Sequence, residues 1–357
     1  MKLFQCRSCG NAVHFDNTTC VACGHRLGYR PDRWTMSAVE PVGDGWRPVG
    51  GPSETFLFCD NAEAAGCNWL IPAADGPGLC LCCRHNRLVP DLSDPDLAAA
   101  WRRLEAAKRQ LFYSLTRWRL PMPDRTADPE NGLVFDSLAD LPGPDGRTEP
   151  VLTGHDSGVI TLAVAEADDV QRETRRQAMG EPYRTLLGHF RHEIGHYYWD
   201  RLVRDGGPID DCRAIFGDER ADYEEALRVH YAEGAPADWR NRFISAYAST
   251  HPWEDFAETW AHYTHMVDAL ETAQAFGLVL RPKGPAGEAL ATEVDFDPYR
   301  QGEVPDLIAA WVPVTVAVNA LNRSLGQADL YPFVLPEAVT AKLAFVHRLV
   351  RGAAAGA

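Results

Sequence analysis

Leu186-Leu187-Gly188-His189-Phe190-Arg191-His192-Glu193-Ile194-Gly195-His196-Tyr197-Tyr198-Trp199 is the stretch that decides how this chain is read. Residues four apart on a helix lie one above the other. His192 and His196 would therefore offer two imidazoles to one metal ion, with Glu193 beside them to serve a metal-bound water. Leu186, Leu187, Phe190, Ile194, Tyr197 and Tyr198 recur at helical spacing, which predicts a helix through the motif. Glu181-Pro182 reads as its start and Asp205-Gly206-Gly207-Pro208 as its stop. Gly195 inside a helix costs ~1 kcal/mol relative to alanine and would let another element approach closely. Two surface histidines on an amphipathic helix are the plain alternative.

A catalytic zinc usually takes three protein ligands and keeps one position for water. A glycine three residues and a histidine six residues beyond His196 would complete a metzincin site. Trp199 and Leu202 stand there instead, so the third ligand is expected as an acid on a later helix. The best region runs from Tyr247 to Tyr263, with Thr250 as a candidate N-cap, Pro252 in the first turn, and Phe256, Trp260, Tyr263 and Val267 as an apolar stripe. Glu254 and Glu258 are four apart on one face. One can bind zinc while the other accepts the ring N–H of a ligand histidine. Asp255, His262, His265 and His189 are rival ligands of lower weight.

Tyr247, Trp253-Glu254-Asp255-Phe256-Ala257-Glu258 and the upstream His-Glu-x-Gly-His together resemble the gluzincin metalloproteases of the lethal-factor type. The whole chain is similar to bacterial proteins in which a zinc ribbon is fused to a zinc-binding metallopeptidase. That resemblance also takes in the N-terminal cysteines, Cys67-Asn68-Trp69-Leu70 and Tyr331-Pro332-Phe333-Val334. It implies His192, His196 and Glu254 as ligands of a catalytic zinc, Glu258 as the outer carboxylate, Glu193 as general base and Tyr247 as the oxyanion donor. The fold it implies is α+β: a helix-dominated, zincin-like metallopeptidase domain preceded by small zinc-ribbon modules.

Nine of the ten cysteines precede residue 84. Cys6-x2-Cys9 and Cys20-x2-Cys23, each followed by glycine, have the spacing of two thiolate turns closing one tetrahedral site. Cys59, Cys67, Cys80 and Cys83 are expected to form a second, with Cys82 able to replace Cys80 or Cys83. Cys212 reads as a small buried hydrophobe. Met1 to Cys6 begins no secretory signal, so metal sites in a reducing, cytoplasmic setting are expected rather than disulfides. Zinc is thus the expected cofactor, one ion catalytic and one or two structural.

Lys and Arg total 35 against 50 Asp and Glu, a formal charge of −15. This argues against broad nucleic-acid affinity. The apolar run Leu307 to Leu321 is short, contains Pro313 and suits a buried helix better than a membrane span. A boundary is expected near Val89 to Pro95, separating a ribbon region (1–90) from a catalytic domain (94–357). A helix should follow from Asp96 to Arg119, and an irregular stretch from Arg119 to Arg147. Residues 151–164 read as two strands about a turn, with Gly158 to Val164 as the strand that could pair an extended substrate. Hydrolysis of a peptide or protein is the expected activity, with the ribbons free to recruit a protein partner. The competing readings are an adaptor with a weakly active peptidase fold and a hydrolase of a non-peptide amide.

Overall fold

The computed structural model describes residues 1–51, 53–142, 148–179, 185–285 and 287–355. Contacts divide them into two compact units. Leu3–Arg117 and Met122–Arg172 form the amino-terminal unit. Met1–Lys2, Trp118–Pro121 and Glu173–Ala357 form the carboxy-terminal one. The expected break near residue 90 is therefore not where packing divides the chain.

The amino-terminal unit opens with a small hairpin, β1 (Phe4–Gln5) and β2 (Ala12–Val13). Five antiparallel strands follow in sequence order: β3 (Arg26–Arg30), β4 (Thr35–Val42), β5 (Gly45–Pro48), β6 (Phe56–Phe58) and β7 (Leu70–Pro72). A parallel bridge from Tyr29 to Trp69 joins the two ends of this sheet. Leu70 fills the space that a side chain at Gly28 would need. Phe4, Phe15, Tyr29, Trp69 and Tyr113 pack ring against ring in the core. The buried Asn68 amide donates to the carbonyls of Phe15 (2.7 Å) and Asn17 (3.1 Å). It thereby fastens one cysteine-bearing loop to the other.

The same unit holds β8 (Asn86–Leu88), helix α1 (Pro95–Trp118), β9 (Val134–Leu138), a short hairpin of β10 (Leu141–Pro142) with β11 (Thr148–Glu149), β12 (Gly154–Asp156) and β13 (Val159–Ala163). Strand β9 lies inside the stretch expected to be irregular. The β12–β13 hairpin turns at Ser157-Gly158, where both φ angles are positive (48° and 82°), as a tight hairpin turn requires. The sheet order is β12-β13-β9-β8. Both edges of β13 are hydrogen-bonded, to β12 and to β9. The expectation that Gly158 to Val164 offers a free edge to a substrate is thus wrong: an interior strand cannot accept another by β-augmentation.

Helix α2 (Asp169–Met179) carries the chain from one unit to the other. The carboxy-terminal unit is helical: α3 (Leu186–Trp199), α4 (Ile209–Phe216), α5 (Tyr223–Glu233), α6 (Pro252–Ala275), α7 (Val304–Ser324) and α8 (Glu337–Ala355), with one hairpin of β14 (Val279–Leu280) and β15 (Thr292–Glu293). Thr185 caps α3 by accepting from the Gly188 N–H. Glu181-Pro182, the expected start, lies outside the described residues. After Trp199 the helix widens into a π turn over Asp200–Arg204 before Gly206-Gly207. Helix α7 is long and apolar enough to cross a membrane by length and composition, but one third of that stretch is buried. Leu307, Ala310, Trp311 and Val314 face inward, while Val312, Val316 and Leu321 are exposed. It is therefore only partly the buried helix expected. With helix over 45% and strand over 15% of the chain, the whole is a helix-dominated α+β mixture.

Helices α3 and α6 pack closely against each other. Gly195 explains it: a Cβ there would lie 3.0 Å from the Ala257 Cα and 3.2 Å from the Trp260 Cβ. One turn further on, Tyr198 stacks on Trp260 with ring centroids 4.9 Å apart. The helix cost of the glycine is offset by this contact, which brings the motif face of α3 against the amino-terminal turns of α6.

Candidate metal centres and active site

Two four-cysteine clusters occupy the amino-terminal unit. Cys6, Cys9, Cys20 and Cys23 converge in one, and Cys59, Cys67, Cys80 and Cys83 in the other. All ten cysteines are free. Sulfur–sulfur distances are 3.6 Å for Cys6–Cys23 and 3.7 Å for Cys9–Cys20. They are 3.7 Å for Cys67–Cys80 and 3.8 Å for Cys83–Cys67. Tetrahedral zinc with 2.3 Å bonds to sulfur would separate its ligands by about 3.8 Å, so both clusters fit it. The first is built from two matching turns: Gly10 and Gly24 donate to the carbonyls of Cys6 and Cys20, each at 2.8 Å. Both glycines have positive φ, 75° and 74°, which is why glycine follows each pair. The His25 backbone N–H and then its imidazole, 3.3 Å away, draw the Cys23 thiol down to about 6.

Cys82 is buried outside the second cluster, so it replaces neither Cys80 nor Cys83. A buried ion pair, Lys108 with Glu105 at 2.6 Å, stands beside Cys83. Cys212 is buried in α4, and its thiol is pushed up to about 12 by that burial.

The third cluster joins α3 to α6. His251, rather than Thr250, caps α6: its ring Nδ1 accepts from the Trp253 N–H. This places Glu254 in the first turn, facing α3. Nε2 of His192 lies 2.9 Å from Glu254 Oε2 and 3.1 Å from Nε2 of His196, which is 3.6 Å from the same oxygen. Zinc bound tetrahedrally at 2.0–2.1 Å would hold such atoms about 3.3 Å apart. Glu254 Oε2 is buried and takes no hydrogen bond from a fixed donor; it faces the two imidazoles. Three lone-pair atoms turned on one point suit a cation.

The surroundings fix their orientation. His192 donates through Nδ1 to Glu258 Oε1 at 2.8 Å, and Ser245 donates to the other Glu258 oxygen at 2.6 Å. That leaves Nε2 of His192 as the lone-pair atom. Glu258 is drawn down to about 2 by His192 against the opposing effect of burial. Burial likewise opposes charge on Glu254, yet His196 and His192 hold it well below the usual carboxylate range. Glu193 is 8% exposed, and burial raises its pKa above the ordinary value. The Tyr247 ring lies 5.9 Å from that of His192.

The rival ligands are occupied elsewhere. Asp255 pairs with Lys342 at 2.6 Å. His262 meets the Tyr331 hydroxyl at 2.7 Å and the Phe333 ring at 4.4 Å. His265 meets Arg191, and His189 stands half-buried outside the cluster.

Sequence reasoning missed Tyr223 and Ser245 and gave Trp253 no role at the site. Tyr223, the first residue of α5, donates to Glu254 Oε1 at 2.7 Å. Ser245 holds Glu258, and the Trp253 ring lies 3.9 Å from that of His196. Asp222-x-x-Glu225 does signal the start of α5, but no spacing rule links that start to a carboxylate 31 residues away.

Residues 97–349 match the model of the family described as "Putative zinc-binding metallo-peptidase", and residues 3–94 match a zinc-ribbon domain. The chain belongs to this zinc-binding metallo-peptidase family. The chain is also similar to an uncharacterized protein of Mycobacterium tuberculosis and one of Mycobacterium bovis. Each is 40% identical over 351 residues, covering 98% of this chain and 95% of its own length. No solved structure matches the chain. The two family models meet between residues 94 and 97, whereas contacts assign α1 and the following sheet to the ribbon side.

Proposed function

We propose that the chain is a zinc-dependent peptidase of zincin-like fold, cleaving peptide bonds at the His192, His196 and Glu254 centre. The observation that carries this reading is the convergence, among the described residues, of three lone-pair ligand atoms on one point with the buried Glu193 carboxylate in the same helix turn. Zinc, when bound, supplies Lewis-acid polarisation of the scissile carbonyl and lowers the pKa of water to about 7. Glu193 accepts a proton from the attacking water and returns it to the leaving amine. Tyr247 donates a hydrogen bond to the developing oxyanion. Glu258, braced by Ser245, holds His192 in the tautomer that presents Nε2. The four-cysteine clusters are closed sets with no place for water, which suits a structural role. Such thiols need a reducing compartment, and this supports a cytoplasmic protein.

The test is Glu193→Ala against a proteome-derived peptide library, with zinc measured alongside. The variant should keep its zinc and lose all cleavage that the wild type performs. Equal cleavage by both proteins would remove Glu193 from the chemistry and this reading with it.

A further inference from the structure

We propose that Tyr223 is a positioning residue that confines Glu254 to ligation through one oxygen and keeps a coordination position open. The proposal rests on reading His192, His196 and Glu254 as a metal centre. The Tyr223 hydroxyl donates to Glu254 Oε1 at 2.7 Å, while Oε2 faces the imidazoles. A carboxylate free at both oxygens can turn to bind through both. Two oxygens and two nitrogens would fill the four positions that zinc normally takes, leaving none for water. The bond from Tyr223 removes that option, because Oε1 is already engaged.

Tyr223 is itself held on several sides. Asp222 caps α5 by accepting from the Glu225 N–H, so the tyrosine is fixed at the first helical position. Its ring meets those of His251 at 5.3 Å and Trp253 at 6.0 Å, both edge-on. His251 ties the two helix starts together: Nδ1 accepts from the Trp253 N–H, and Nε2 donates to the Ala221 carbonyl at 3.1 Å. Trp253 then packs on the ligand His196. The same few residues thus position the tyrosine, the carboxylate and one imidazole. The Tyr223 hydroxyl is hydrogen-bonded to the Glu254 carboxylate, whereas the Tyr247 ring faces that of His192.

Tyr223→Phe keeps the ring and removes the hydroxyl, and Tyr247→Phe is the comparison. Each is titrated with zinc in chelator buffers. The cobalt(II) spectrum of each is also recorded as a difference against Glu254→Gln, which subtracts the cysteine sites. Tyr223→Phe should bind zinc ~10–100-fold more weakly at this centre and shift the cobalt bands, because a second carboxylate oxygen takes the place of water. Tyr247→Phe should leave both unchanged. The cobalt difference spectrum reads only molecules that hold the metal, so partial unfolding does not imitate the shift. Unaltered affinity and spectrum in Tyr223→Phe, with the wild type binding metal, would overturn this proposal alone. A wild type that takes no metal at the His192 cluster would overturn both the proposal and the peptidase reading.

Discussion

The cysteine clusters and the histidine–glutamate centre solve the same problem at different ranges. In the first cluster, Cys6 meets Cys23 across 17 residues, and in the second Cys83 meets Cys67 across 16. In the third, His192 meets Glu254 from a separate helix, and its outer partner Glu258 stands 66 residues away. A short loop with glycine turns carries its own geometry. A long-range centre borrows its geometry from helix packing, here from the close approach at Gly195. The two kinds of site also differ in closure. Four thiolates satisfy zinc completely, while two imidazoles and a carboxylate leave a position open. Metal should therefore sustain the fold in the first case and serve chemistry in the second.

This contrast predicts very unequal penalties. Cys67→Ser removes one ligand from a fully buried cluster. Structural zinc contributes about 10–16 kcal/mol in small domains, so the amino-terminal unit should lose its resistance to proteolysis. His192→Ala should leave that resistance intact while emptying the third centre. If both variants were equally protected, the cysteine clusters would not be sustaining the fold.

A smaller effect is expected at the helix contact. In Gly195→Ala the new Cβ meets the Ala257 backbone and the Trp260 Cβ, neither of which is a flexible side-chain tip. Overpacking costs about 1–3 kcal/mol and alanine returns about 1 kcal/mol of helix propensity. Calorimetry should show a modest fall in the Tm of the carboxy-terminal unit. Zinc affinity at the third centre should fall with it, because Glu254 and Glu258 flank Ala257 on α6. A more stable variant with unchanged zinc affinity would mean that the helices have slack and that Gly195 does not set the site.

The difference in range also explains what could be read from the sequence. The cysteine spacings and their glycines predict the first cluster directly, and the helix through His192 and His196 follows from its apolar stripe. Glu254 rested on resemblance to a family, because Glu258 shares its helix face and no local rule ranks the two, while Asp255 is rotated away from that face. Packing separates them: Asp255 turns to Lys342, and Glu258 turns to His192 and Ser245. Tyr223 and Ser245 left no signal, since each acts on a residue brought near only by tertiary structure. The strand Val159–Ala163 is apolar enough to be recognised as a strand, but whether its edge is free depends on β9, which pairs with it in parallel. The local pattern of a strand does not reveal its neighbours.

Zinc content of reduced wild-type protein and of Glu254→Gln, measured by elemental analysis, tests the central claim most directly. Two closed thiolate sites and one open centre predict about three ions per chain in the wild type and about two in the variant. Equal zinc in the two proteins would contradict the assignment of Glu254, and with it the open metal centre at the junction of α3 and α6.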